Sequence, residues 1–109
     1  MLAGLKTDEG RPTVGWVAVC KPNDAVRFKI TDNGPTLCVR ITRVKHFEKG
    51  PNAWLELVRY CGVRALMPHL HPDDIEYAAA IYRTFATTKG KYDELEQSHG
   101  VSAIGIEIV

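Results

Sequence analysis

Long apolar runs are missing from this sequence, and so is any secretory signal. No stretch of its 109 residues approaches the roughly 20 apolar residues of a membrane-spanning helix. The N-terminal segment Met1 to Lys6 has neither an extended apolar core nor a cleavage-site pattern. We therefore expect an intracellular protein, cytoplasmic or nuclear, with no membrane partner.

Paired cysteines and metal-ligand motifs are also lacking. The three cysteines, Cys20, Cys38 and Cys61, are odd in number and form no CxxC motif, which argues against a disulfide framework and a zinc ribbon. His69 and His71 are separated by one residue, but no third ligand follows at useful spacing. We expect reduced thiols, no metal and no cofactor, because a chain of this length buries one modest core.

The sequence has no internal repeat, no low-complexity segment and little net charge. We predict a single domain over residues 1–109. The formal net charge is only +1, but residues 1–50 carry nine Lys/Arg against five Asp/Glu, whereas residues 51–109 carry five against eight. The basic first half is suited to a phosphate backbone, although this excess alone predicts weak, salt-sensitive binding.

Alternating apolar residues predict strands in the first half and at the C-terminus. We predict strands at Val14–Cys20, Ala25–Thr31 and Leu37 onward, with a hairpin turn at Asn33-Gly34. The alternation slips after Ile41, which indicates a bulge near Thr42-Arg43. A last strand is predicted at Val101–Val109, where Gly105 allows a bend or close backbone packing.

Helical periodicity occupies the region between these strands. One helix is predicted from an Asn52 cap to about Tyr60, with Trp54 buried and Gly62 ending it. Others are predicted at Asp73–Ala86 and Lys91–Ser98, with Val63–Leu70 as a loop. The fold class is therefore α+β: a small, curved antiparallel β-barrel with a helical insertion before the last strand.

The segment Gly4-Leu5-Lys6-Thr7-Asp8-Glu9-Gly10-Arg11, here called the octet, carries the most chemistry. If it is helical, Lys6 and Glu9 are neighbours, and if it is extended, Glu9 and Arg11 share a face. Arg11 can hold an anion, Glu9 can accept a base N–H, and Lys6 can serve as a cation or nucleophile. A purely structural Glu9–Arg11 ion pair that ties the segment to the barrel is the alternative.

The octet fits the pattern GxKxxExR without a mismatch, and it thereby resembles the signature of the ASCH domain, a branch of the PUA-like barrels. The order of the other elements is similar to that family along nearly the whole chain. The resemblance implies a PUA-like fold whose cleft is lined by Gly4, Lys6, Thr7, Glu9 and Arg11. Family members usually have a strand and most of a helix before the octet. This chain begins three residues before Gly4, which predicts a barrel short of one strand or an incomplete start.

The resemblance implies binding of RNA or a modified nucleoside, linked to transcription or translation. One branch of the family is similar to amidohydrolases acting on N4-acetylcytidine, and another is linked to RNA cleavage. The amidohydrolase lysine corresponds to Lys6, but its threonine corresponds to Glu9, so the hydroxyl is absent there. We expect a binding module. The alternative is a hydrolase with Lys6 and Glu9 as an acid/base pair, and a protein-interaction module that uses the acidic second half remains open.

Aromatic and basic residues outside the octet are further candidates for RNA contact. Trp16 follows the octet closely and is interpreted either as a core residue or as a base-stacking platform. Arg27, Arg40 and Arg43 alternate along two neighbouring strands and form either a solvated face or a set of phosphate contacts that flanks the cleft.

Overall fold

Four strands form one antiparallel sheet in the computed structural model, which describes residues 8–29 and 36–108. The strands are β1 (Asp8–Pro12), β2 (Ala25–Lys29), β3 (Thr36–Phe47) and β6 (Val101–Ile108), in the spatial order β1-β6-β3-β2. The last strand thus returns between the first strand and the β2–β3 pair and joins them. The sheet curls into a half-barrel, in agreement with the predicted α+β class.

The helices lie between β3 and β6 in the chain, as predicted. They are α1 (Ala53–Cys61), α2 (Val63–Leu66), α3 (Ile75–Arg83) and α4 (Tyr92–His99), and a small hairpin of β4 (Ala86–Thr87) and β5 (Gly90–Lys91) separates α3 from α4. Within the described ranges, no helix is long and apolar enough to span a membrane. The predicted loop at Val63–Leu70 contains α2, and α3 is shorter than the predicted Asp73–Ala86 because β4 begins at Ala86.

The segment around Trp16 corrects the sequence prediction. Val14–Cys20 is not a strand but surrounds a short 3-10 helix at Gly15–Ala18. Gly15 has φ +60°, which interrupts an extended conformation, and the Trp16 carbonyl accepts the N–H groups of both Val19 and Cys20. Local backbone hydrogen bonds therefore replace the ladder that the apolar pattern suggested. A glycine and a proline in Gly10-Arg11-Pro12 predict a break in the chain, but these residues are part of β1.

The bulge is confirmed, and Gly105 packs closely against side chains of the bulged residues rather than against backbone. The β3–β6 register shifts between Ile41 and Arg43. A Cβ at Gly105 would lie 2.6 Å from Thr42 Oγ1 and 2.7 Å from Arg43 Cγ, so only glycine leaves room for the bulged residues. The predicted turn at Asn33-Gly34 lies outside the described residues.

Two apolar clusters lie on opposite faces of the sheet. The inner face holds Val17, Val39, Ile41, Ile104 and Ile106. The other face packs against the helices through a larger cluster that includes Trp54, Leu57, Ala78, Tyr82, Val101 and Ala103. Trp54 is fully buried, as predicted.

Glu96 connects three helices from a buried position. Its carboxylate accepts the Trp54 N–H at 2.8 Å at the start of α1, and it accepts the Arg83 guanidinium at 3.0 and 3.1 Å from the end of α3. Glu96 is only 2% exposed, and its hydrogen bonds compensate for the burial of its charge. The same interaction raises the pKa of Arg83.

We expect Glu96→Ala to lower the free energy of unfolding by about 2–4 kcal/mol, because it leaves the Arg83 charge and the Trp54 N–H without their partner. This loss of unfolding free energy is smaller than the full cost of breaking a buried ion pair, because the Arg83 side chain keeps access to water. Urea denaturation measures the change. Glu94→Ala on the exposed side of α4 is the matched control, and an equally small effect of both variants would contradict this role of Glu96.

Candidate functional site

The second half of the octet is strand β1, at the edge of the described sheet. Its side chains alternate, with Asp8, Gly10 and Pro12 buried and with Glu9 and Arg11 partly exposed. Glu9 is opposite Ile104 and Arg11 is opposite Ser102, so both point to the inner face. The octet is therefore extended here, and the prediction that Glu9 and Arg11 share a face is confirmed.

Glu9 and Arg11 also interact with each other and with two tyrosines. The Arg11 Nε lies 3.8 Å from Glu9 Oε1, and the two side chains are 32% and 14% exposed. The predicted Glu9–Arg11 pair is present, and Arg11 also hydrogen-bonds Tyr92 of α4, so the structural alternative stays beside the functional one. The pKa of Tyr92 is raised, mainly by burial; Arg11 opposes the shift by its charge and by hydrogen bonding, whereas Glu9 adds to it.

Gly10 fixes the position of β1 over an aromatic stack. Trp54 stacks with Tyr82, with ring centroids 4.4 Å apart, and with Tyr92, at 5.4 Å, and the ring planes are nearly parallel. A Cβ at Gly10 would lie 3.0 Å from the Tyr82 phenol and 3.2 Å from the Trp54 ring, so glycine allows the strand to lie directly on the stack. Burial, and secondarily the charge of Glu9, raise the pKa of Tyr82, which stays protonated.

Asp8 anchors β1 from the opposite face. Its carboxylate is 2% exposed and accepts a hydrogen bond from the Arg43 guanidinium, which reaches it across Gly105 of β6. Asp8 and Arg43 also influence Cys61, whose pKa is raised to about 12, mainly by burial and further by Asp8, against the opposing effect of Arg43. Asp8 was not a predicted site residue, and its pairing depends on a strand register that short-range patterns do not indicate.

A pocket of about 150 Å³ opens beside Arg11. This edge pocket lies between β1, the 3-10 helix and the β4–β5 hairpin, and it is lined by Arg11, Pro12, Val14, Trp16, Val17, Thr87, Thr88, Lys89 and Tyr92. It contains two cations, a 39% exposed indole and a protonated phenol. Trp16 is therefore not a core residue, and its role as a base-stacking platform stays a prediction.

Lys89 and the hairpin that carries it were missed from the sequence. The β4 and β5 strands have two residues each, too few for an alternating pattern. The stem of Lys89 packs on the 3-10 helix, where a Cβ at Gly15 would lie 2.9 Å from Lys89 Cε. The sequence Thr87-Thr88-Lys89-Gly90, with Gly90 at φ +142°, is the only local turn signal.

The predicted basic residues of β2 and β3 are not gathered at this pocket. Arg40 is opposite Glu107 and pairs with it, and Arg43 pairs with Asp8. Both belong to the face opposite Glu9 and Arg11, because the register alternates along β3. Arg43 thus contacts the octet through Asp8, and the prediction that Arg40 and Arg43 flank the octet's cleft stays a prediction, since Gly4, Lys6 and Thr7 lie outside the described residues. Arg27 borders a second depression next to Trp16.

The remaining predicted site residues, Gly4, Lys6 and Thr7, lie outside the described residues. The His71 Nδ1 accepts the Asp73 N–H at 3.1 Å and lies 3.7 Å from the Asp73 carboxylate. Across residues 8–29 and 36–108, no group of three His, Cys, Asp or Glu side chains is placed to hold a metal ion.

Comparison with known proteins finds two solved structures of the same architecture. The crystal structure of hypothetical protein PH0355 shares 26% identity, covers 97% of this chain and 84% of that one, and has a TM-score of 0.73. The solution structure of PF0455 from Pyrococcus furiosus also shares 26% identity, over 94% and 80% of the two chains, with a TM-score of 0.66. No family model matches the chain, and no curated protein matches it.

We expect the thiol of Cys61 to resist alkylation at pH 8, because a pKa of about 12 leaves only about one thiolate in ten thousand. Cys38 is exposed and should react first. Mass spectrometry after timed iodoacetamide treatment measures both sites in one sample. Rapid modification of Cys61 in the folded protein would contradict its burial beside the Asp8–Arg43 pair.

Proposed function

We propose that this protein is an RNA- or modified-nucleoside-binding module of the ASCH type within the PUA-like barrels. The ligand binds in the edge pocket next to Arg11. One observation carries the proposal: the octet's Arg11 lines the same pocket as an exposed tryptophan and a lysine from a distant hairpin. Cations and an aromatic face are the two elements with which proteins bind single-stranded nucleic acid.

Each side chain has a defined task in this proposal. Arg11 and Lys89 contact phosphate, and Trp16 stacks on a base. Glu9, behind Arg11, accepts a base N–H and orients the guanidinium through the pair that they form. The pocket volume of about 150 Å³ is below the roughly 300–1,000 Å³ of sites for drug-sized ligands, which fits a single base better than a large cofactor.

We expect Arg11→Ala to weaken binding of a labelled single-stranded RNA by about 10- to 100-fold, because the variant loses the charged hydrogen bonds between the guanidinium and phosphate. Fluorescence anisotropy at low salt measures the affinity. Arg64→Ala, which removes an exposed arginine on α2, is the matched control and should bind as the parent does. The dependence of affinity on salt should also become shallower in Arg11→Ala.

Failure of the parent protein to bind any RNA or N4-acetylcytidine at low salt would contradict the proposal. Equal loss of affinity in Arg11→Ala and Arg64→Ala would show that only the overall charge matters, and the edge pocket would then have no special role.

Hydrolysis of RNA or N4-acetylcytidine remains the alternative, because the octet's resemblance assigns the amidohydrolase lysine to Lys6 and because Glu9 keeps some solvent access. Incubation of both substrates with the parent and with Lys6→Ala, followed by chromatography of the products, tests it. Products formed by the parent alone would establish the enzyme. Identical behaviour of the two proteins would exclude this mechanism.

A further inference from the structure

Trp16 stands between two depressions on the same surface. On one side is the edge pocket, and on the other is an open depression of about 430 Å³, here called the outer depression, lined by Trp16, Val19, Cys20, Asp24, Ala25, Val26 and Arg27. Val19 is 78% exposed although it is apolar. The surface thus continues beyond the edge pocket with an indole and an exposed aliphatic side chain.

The backbone that carries Trp16 is held from three directions. Its carbonyl accepts two N–H groups, the neighbouring Val17 is buried in the inner cluster, and the Lys89 stem packs against Gly15. An indole on an anchored backbone loses little conformational entropy when a ligand stacks on it. Trp16 is therefore suited to separate two neighbouring binding positions, one in each depression.

Positively charged side chains border both depressions. Arg11 and Lys89 border the edge pocket, and Arg27 borders the outer depression. The carboxylate in the outer depression, Asp24, is engaged by Lys21, which donates its backbone N–H at 2.9 Å and places its Nζ at 3.9 Å. This engagement reduces the repulsion that Asp24 would exert on a phosphate.

We propose that the protein binds at least two consecutive nucleotides of single-stranded RNA, with neighbouring bases on the two sides of Trp16. This inference rests on the proposed function and specifies its ligand: a strand, not a free nucleoside. A nucleoside in the edge pocket would leave the outer depression unfilled, whereas the next nucleotide of a strand reaches it without a second association step. Base–aromatic stacking is tolerant of sequence, so the preference is for strand length.

The test compares the affinity of a nucleoside 5′-monophosphate with that of a single-stranded tetranucleotide of the same base, by calorimetry or by tryptophan fluorescence. We expect the parent to bind the tetranucleotide at least about tenfold more tightly, and we expect Trp16→Ala to lose at least about fivefold of this ratio. Val19→Asp adds a negative charge in the outer depression alone. It should therefore lower the affinity for the tetranucleotide more than the affinity for the monophosphate. Tyr77→Ala, an exposed aromatic residue on α3, is the control that keeps the ratio.

The outcomes separate this inference from the proposed function. If the parent binds monophosphate and tetranucleotide equally, the inference is wrong while nucleoside binding stands. If Trp16→Ala and Val19→Asp both fold and both keep the parent's ratio, the additional nucleotides contact another surface and the inference is again wrong. If the parent binds neither ligand at low salt, the proposed function fails, and this inference fails with it.

Discussion

The stacking of Trp54 with Tyr82 and Tyr92 is the contact on which the candidate site depends. It joins α1, α3 and α4 into one aromatic layer, and the Trp54 indole N–H also donates to the Tyr92 carbonyl at 3.2 Å. Strand β1 can approach this layer because Gly10 has no side chain. With Gly10 against the rings, Glu9 and Arg11 must point to the inner face. The core thereby determines which octet side chains a ligand can meet.

A second contact fixes the register of the same strand. Asp8 of β1 and Arg43 of β3 form an ion pair across Gly105 of β6. One ion pair thus links the two strands that flank β6. A slip of β1 by one residue would bury Glu9 and Arg11 against the helices and expose Asp8. The bulge at Ile41/Arg43 brings Arg43 to the position opposite Gly105. The octet thus combines residues that hold the strand, Asp8 and Gly10, with residues that remain accessible, Glu9 and Arg11.

Sequence periodicity predicted those parts of the fold that are determined by neighbouring residues in the chain. Periodicity identified the helix after Asn52, the burial of Trp54 and the last strand, and the change of parity after Ile41 located the bulge. The run at Val14–Cys20 was misread because apolar and β-branched residues also occur in a short helix whose direction is set by a glycine with positive φ. The hydrogen bonds of Glu96 to Arg83 and Trp54 join distant segments, and no spacing in the sequence reveals them.

Part of the candidate site was likewise predictable from local sequence patterns, and part depends on tertiary contacts. The shared face of Glu9 and Arg11 follows from the two-residue period of a strand, so it was predictable once the segment was known to be extended. The presence of Arg11 and Lys89 at one pocket depends on the packing of a hairpin whose lysine is 78 positions later in the chain, which only the tertiary structure provides. The carboxylate partners of Arg40 and Arg43 are also tertiary contacts, and they turn an apparent basic face into a set of ion pairs.

We propose that ligand binding takes place at the inner face of β1 and in the adjacent edge pocket. The most direct test is an NMR titration of labelled protein with short single-stranded RNA, in which each residue reports its own change. We expect the largest shifts at Glu9, Arg11, the Trp16 indole and Lys89. Shifts confined to Arg40, Arg43 and their neighbours on the opposite face of the sheet would contradict it.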